Sequence, residues 1–200
     1  MRLFIAIDIP KEVKEKIRTS FLYTKDSLEF ARFTEPENLH ITLVFLGEMP
    51  ESQLNTVKAV MDKTAKPYSV HQLEIKNAVI GPDENQARMI WLKLSDDSQK
   101  YLEEISNNLK KELRAKNISF DNDHATLNGH ITLARFDSGW RNKFEGKNEK
   151  TREEDAAKIK NVLPESFEES FAVSRITLFS SLEKNGQRIY EPLFESDFKG

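Results

Sequence analysis

The chain has 200 residues, 38% of them hydrophobic, with a formal charge of −3 and a pI near 5.9, enough apolar mass for one large domain or two small lobes sharing an interface. The absence of Cys excludes disulfides, thiolate nucleophiles and cysteine zinc sites, and no apolar run approaches the about 20 residues of a membrane-spanning helix. The acidic balance argues against gripping long nucleic acid through many phosphates, while a local positive pocket could still recognise a terminus or one or two nucleotides.

Leu3, Ile5 and Ile7 alternate as an opening strand, in a leader too short and too quickly acidic for a signal peptide. A cytoplasmic location is the expectation. Asp8 is a candidate cap for a helix with Pro10 near its first turn and Ile9, Val13, Ile17 and Phe21 as its buried stripe. A strand from Leu39 to Leu46 is closed by Gly47, and a second helix runs from about Glu51 to Lys66 with Leu54, Val57 and Met61 inward. Strands follow near Val70–Ile80 and Arg88–Leu94, separated by the turn residues Gly81-Pro82-Asp83-Glu84-Asn85. Asp97–Lys116 is the clearest helix, with Leu102, Ile105, Leu109 and Leu113 as its stripe. Ile118–Phe120 is a short strand candidate, and the polar stretch Asp121–Asn128 leads into another strand at Gly129–Ala134. Charge and Gly dominate Asp137–Glu154, so 137–166 reads as a surface loop or insertion, with a short helix near Glu153–Leu163. Phe171–Leu182 and Arg188–Phe198 close the chain as a hairpin around Lys184-Asn185-Gly186. Together these elements predict an α+β fold.

The tetrapeptide His-Ile-Thr-Leu occurs twice, at His40–Leu43 and His130–Leu133. Residues two apart on a strand share a face, so His40 with Thr42, and His130 with Thr132, each present an imidazole beside a hydroxyl. Imidazole titrates near pH 6.5 and can take or give a proton. Hydroxyls can donate to charge building on phosphoryl oxygens. Two such pairs form a toolkit for acid–base chemistry on a phosphate, and suggest two pseudo-symmetric lobes carrying one strand each. For either His alone, a buried ring bonded to a carbonyl is the commoner case; two copies with the same Thr offset and flanks weigh against it. His71 and His124 lack a Thr partner and receive no role. A metal site built from His40, His130 and Asp121 or Asp123 is disfavoured, because nothing clusters at ligand spacing.

The order Met1-Arg2-Leu3-Phe4-Ile5-Ala6-Ile7-Asp8-Ile9-Pro10, then Pro36-Glu37-Asn38-Leu39-His40-Ile41-Thr42-Leu43 and Phe45-Leu46-Gly47, resembles the two-histidine phosphoesterases. Within them it is most similar to the RNA 2′,3′-cyclic phosphodiesterases, long labelled 2′-5′ RNA ligases. His130-Ile131-Thr132-Leu133-Ala134-Arg135 and Leu178-Phe179-Ser180-Ser181-Leu182, with Gly186 and Tyr190, continue the match over most of the chain. The family often has Pro before the second His, where this chain has Gly129, a residue that could loosen the strand entry.

The resemblance implies one two-lobed domain over 1–200, each lobe an antiparallel sheet with helices on its outer face, and an active-site cleft between the lobes. It implies hydrolysis of RNA 2′,3′-cyclic phosphate ends to 2′-phosphates by a monomer that needs no cofactor or metal. With O3′ leaving, His40 is assigned as general acid and His130 as general base, although near-twofold symmetry leaves the roles interchangeable. Thr42, Thr132 and Arg135 are expected to bind the phosphate. Strict alternation puts Arg135 on the face opposite His130, so it can reach only if the strand ends, twists or bulges. Phe33, Phe45, Trp91, Phe120, Phe179 and Tyr190 are mostly core by alternation, though one of them could stack on a base. Reversible 2′-5′ ligation and a non-catalytic RNA-end-binding module are the competing readings.

Overall fold

The computed structural model describes residues 1–121, 126–184 and 186–200; Asp123, His124 and the Asn185 of the expected turn lie outside the described residues. In chain order the elements of the first half are β1 (Arg2–Asp8), α1 (Lys11–Ser20), α2 (Leu22–Ser27), β2 (Ala31–Phe33), β3 (His40–Glu48), α3 (Leu54–Ala65), β4 (His71–Gly81) and β5 (Met89–Leu94). They are followed by α4 (Asp96–Ala115), β6 (His130–Phe136), α5 (Ser138–Glu145), α6 (Glu149–Asn161), β7 (Glu169–Val173), β8 (Arg175–Lys184) and β9 (Gln187–Asp197). Among these, no helix is long and apolar enough to cross a membrane.

Every strand pairing is antiparallel, and the strands form a single curled sheet in the order β7-β4-β5-β6-β3-β1-β8-β9, with β2 added to β6. The two halves expected from the repeat are β7-β4-β5-β6 and β3-β1-β8-β9. They meet at the middle of the sheet, where β3 pairs with β6 at Ile41↔Ile131. The two His-Ile-Thr-Leu strands are therefore neighbours, related by the local twofold of an antiparallel pair.

The sheet buries both faces differently. Leu3, Ile5 and Ile7 of β1 enter the main core, while Phe4 and Ala6 point the other way and cluster with Phe179 and Tyr190. This two-sided burial explains why five consecutive residues, Leu3 to Ile7, are all buried. The long α4 supplies Leu102, Ile105, Leu109 and Leu113 to the main core, each 0% exposed; burial of such side chains is worth roughly 1.5–3 kcal/mol apiece. Ser95 caps this helix by accepting from the Ser98 N–H.

Several local expectations are corrected. The helix after β1 is entered through Pro10, and the Asp8 carboxylate instead accepts from the Ile9 N–H and pairs with Lys14 at 2.7 Å. Ile118–Phe120 joins no strand among the described residues; the Ile118 N–H bonds the Leu113 carbonyl and so finishes α4. The predicted strand Phe171–Leu182 is split at Ser174 into β7, which pairs with β4, and β8, which pairs with β1 and β9. The 137–166 segment, expected as a surface loop with a short helix near Glu153–Leu163, contains that helix as α6, which starts earlier at Glu149, and a second helix, α5, which was not expected. Asp137 caps α5 by accepting from the Trp140 N–H, and Asn148 caps α6 by accepting from Thr151. Trp140 stacks on Phe30 at 4.8 Å, and Phe144, Ala156 and Ile159 are buried. Charged residues cover the other faces, which hid the weak apolar stripe.

Candidate active site

Antiparallel pairing at Ile41↔Ile131 sets His40 opposite Thr132 and Thr42 opposite His130 on one face of the sheet. Ile41, Leu43, Ile131 and Leu133 go to the core. Each motif strand then carries a bulge at the same place. Against β1, Thr42 pairs with Ala6 and Val44 with Ile5, so Leu43 is the extra residue. Against β5, Thr132 pairs with Trp91 and Ala134 with Ile90, so Leu133 is the extra residue. The carbonyls released from the ladder are both satisfied: Ser106 Oγ donates to Leu43 O at 2.8 Å, and the Thr34 N–H to Leu133 O at 2.8 Å.

The bulges change which side chains reach the cleft. A residue five positions after each His is turned onto the His face. In β6 this residue is Arg135, so simple alternation fails and Arg135 shares a face with His130 and Thr132. In β3 it is Phe45, 48% exposed rather than core. One half of the sheet thus offers a cation and the other an aromatic ring.

Both rings are held alike. His40 Nδ1 lies 2.7 Å from Asn38 O, and His130 Nδ1 lies 2.7 Å from Asn128 O. A carbonyl only accepts, so Nδ1 carries the proton and each Nε2 presents a lone pair. Thr42 Oγ1 donates to His40 Nε2 at 2.9 Å. Burial pushes His40 down from 6.5 to about 4; the Asn38 carbonyl opposes this, and the charges of Lys14 and His130 deepen it. His130 is also held below its ordinary value, first by burial, against the Asn128 carbonyl, with the Arg135 charge adding to the depression. The influence of His130 on His40, and of Arg135 on His130, fits their placement on one face of the sheet. In the free protein both imidazoles are neutral bases at neutral pH.

The surroundings contain residues that the motif did not announce. His40 lies 4.9 Å from the Phe4 ring and 5.1 Å from Tyr190, edge-on. Asn38 ties β9 to this strand, donating to Arg188 O at 2.7 Å and accepting from the Tyr190 N–H at 3.1 Å. His130 stacks on the Trp91 indole at 4.0 Å. Trp91 was detectable from its position: Ile90, Leu92 and Leu94 share one face, which leaves Trp91 on the other. Gly129 packs under α4, where an added Cβ would stand 2.9 Å from Gln99 Oε1. Gln99 also donates to the Leu127 carbonyl. Close packing, rather than a looser entry, thus accompanies Gly129, and His130 keeps the same carbonyl distance as His40. Among the described residues no three His, Asp or Glu gather as a metal site.

The AKAP7 2′5′ RNA ligase-like domain family matches residues 5–196. The chain belongs to the two-histidine phosphoesterases. A relative from Methanocaldococcus jannaschii, named RNA 2′,3′-cyclic phosphodiesterase, is 32% identical over 137 residues, covering 68% of this chain and 71% of its own. One of the same name from Escherichia coli is 26% identical over 192 residues, covering 96% and 93%. The apo structure of E. coli LigT superposes with a TM-score of 0.70 at 25% identity, over 100% of this chain and 98% of that one. A LigT structure complexed with 3′-AMP gives 0.73 at 24% identity over the same shares. As a two-histidine phosphoesterase, the chain carries one His-x-Thr strand in each half of its sheet.

Proposed function

We propose that this protein opens RNA 2′,3′-cyclic phosphate ends to 2′-phosphates, using His40 and His130 as its acid–base pair and no metal. The observation that carries the reading is the arrangement of two imidazoles, each with Nδ1 anchored to a carbonyl, on one face of strands that meet at Ile41↔Ile131. The names of the relatives support the substrate class.

Water attacks phosphorus in line with O3′. His130 Nε2 takes the water proton as the new P–O bond forms, the P–O3′ bond breaks, and His40 returns a proton to O3′. Thr42 and Thr132 hydroxyls and the Arg135 guanidinium meet the charge on the non-bridging oxygens. His40 must hold a proton to act as the acid, and its depressed free value means this proton arrives with the anion. A phosphodiester between the rings stabilises imidazolium and raises both values. Both imidazoles are held below their ordinary value in the free protein, so the acid and base roles are set in the bound state.

The test is phosphorus NMR of the product from a short RNA ending in a 2′,3′-cyclic phosphate, with excess chelator present. A 2′-phosphomonoester formed at an undiminished rate is expected. A 3′-phosphate, a joined 2′-5′ product, or substrate that binds and is returned unchanged each contradicts the proposal.

A further inference from the structure

A groove of about 570 Å³ opens beside the His pair, between the β2–β6 edge and the β8–β9 hairpin. Arg135 and Tyr190 line it, and both border the reaction cleft: Tyr190 lies 5.1 Å from the His40 ring, and Arg135 is turned onto the His130 face of β6 by the Leu133 bulge. Its cationic lining is Arg32, Arg135, Arg141 and Arg188.

Among the described residues these arginines are held without counter-ions. Arg32 and Arg135 are directly opposite in the β2–β6 ladder, so two guanidiniums project from one face. Like charges in that position destabilise a sheet. Among the described residues, ion pairs engage Arg18, Arg88 and Arg175 but none of these four. Among the described residues the Arg135 guanidinium donates to the Met89 sulfur at 3.8 Å, and that of Arg188 to Ser181 Oγ at 3.4 Å. Arg141 Nε is buried with no partner. Three carboxylates, Glu35, Asp137 and Glu183, also line the groove; Asp137 is committed to the Trp140 N–H, and none lies within ion-pair reach of a guanidinium. In a chain of net charge −3, this unpaired basic cluster is local to one mouth of the cleft.

We infer that this groove binds the internucleotide phosphate immediately upstream of the cyclic end, with Arg32 and Arg188 as its outer contacts and Arg141 behind them. The inference rests on the cyclic-phosphate reading of the neighbouring His pair, and it makes the substrate an oligonucleotide end rather than a mononucleotide. A phosphodiester monoanion offers two oxygens to guanidinium forks. It relieves the Arg32–Arg135 repulsion, and one nucleotide separates it from the reacting phosphorus.

The test compares the dinucleotide ApA ending in a 2′,3′-cyclic phosphate with adenosine 2′,3′-cyclic phosphate, and measures equilibrium binding of ApA 2′-phosphate with a natural or a neutral methylphosphonate linkage. The expected result is a kcat/KM at least about tenfold higher for the dinucleotide, and a similar loss of affinity on neutralising the linkage, the worth of one charge-assisted contact. The double variant Arg32→Ala, Arg188→Ala, at exposed positions where truncation is tolerated, should bring both ratios to within about twofold of one, whereas a merely structural role would lower the two ligands equally. Equal binding of charged and neutral linkages, or discrimination that survives in the double variant, overturns the subsite. Discriminating binding without turnover of either substrate sinks the hydrolase reading and leaves the subsite standing.

Discussion

Replacing His40 or His130 by alanine is expected to lower kcat on a cyclic-phosphate RNA end by about 10²–10⁴-fold each, the usual worth of a general acid or base. The two losses should not multiply in the double variant, because residues acting on one proton-transfer sequence are strongly non-additive. Truncation at His40 also opens space among Phe4, Phe179 and Tyr190, so unfolding curves must accompany the rates. An aryl phosphodiester with a good leaving group separates the roles, since it needs no proton at the departing oxygen. Rescue confined to His40→Ala supports His40 as the acid, and rescue confined to His130→Ala exchanges the assignments. Variants that keep more than a tenth of wild-type turnover would remove the pair from the mechanism.

Gly81→Ala is expected to cost about 1–3 kcal/mol of stability and at least tenfold in kcat. A Cβ at Gly81 would lie 2.5 Å from Trp91 Cδ2 and 2.6 Å from Cε2, and an indole has no flexible end to give way. The ring that must move is the one stacked on His130 at 4.0 Å, so strain at the sheet edge reaches the cleft. Urea unfolding and initial rates check both halves of this statement. Trp91→Phe should recover part of the stability in the Gly81→Ala background, because the smaller ring clears the Cβ and removes the buried, unpartnered Nε1. Unchanged stability in Gly81→Ala contradicts the tight contact.

The His-x-Thr pairs were legible because strand periodicity and an exact repeat act on the same residues. Leu102, Ile105, Leu109 and Leu113 gave α4 away for the same reason, a stripe at helical spacing. The bulges were not legible: Leu43 and Leu133 are ordinary strand residues, and their displacement depends on the partner strands β1 and β5. That one feature moved Arg135 and Phe45 onto the cleft face. The Arg32–Arg135 apposition was hidden too, since it requires β2 to dock on β6, a pairing between segments about a hundred residues apart. Ala156 and Ile159 gave away the later part of α6, whereas its first turn and the whole of α5 left only their caps, Asn148 and Asp137, as local signals amid dense charge. Continuity of the sheet across Ile41↔Ile131 is likewise a long-range property that no window of sequence contains.

Ring NMR of His40 and His130, assigned through the single variants and followed against pH with and without a nucleoside 2′-phosphate, asks whether both imidazoles serve one phosphate. Free, both rings should titrate below the ordinary 6.5, His40 near 4, so each loses its proton before neutrality. With the ligand bound, both midpoints should rise, and the two rings should follow one saturation curve. A ligand that shifts only one ring, or leaves both titrations unmoved, means that the imidazoles do not share a phosphate.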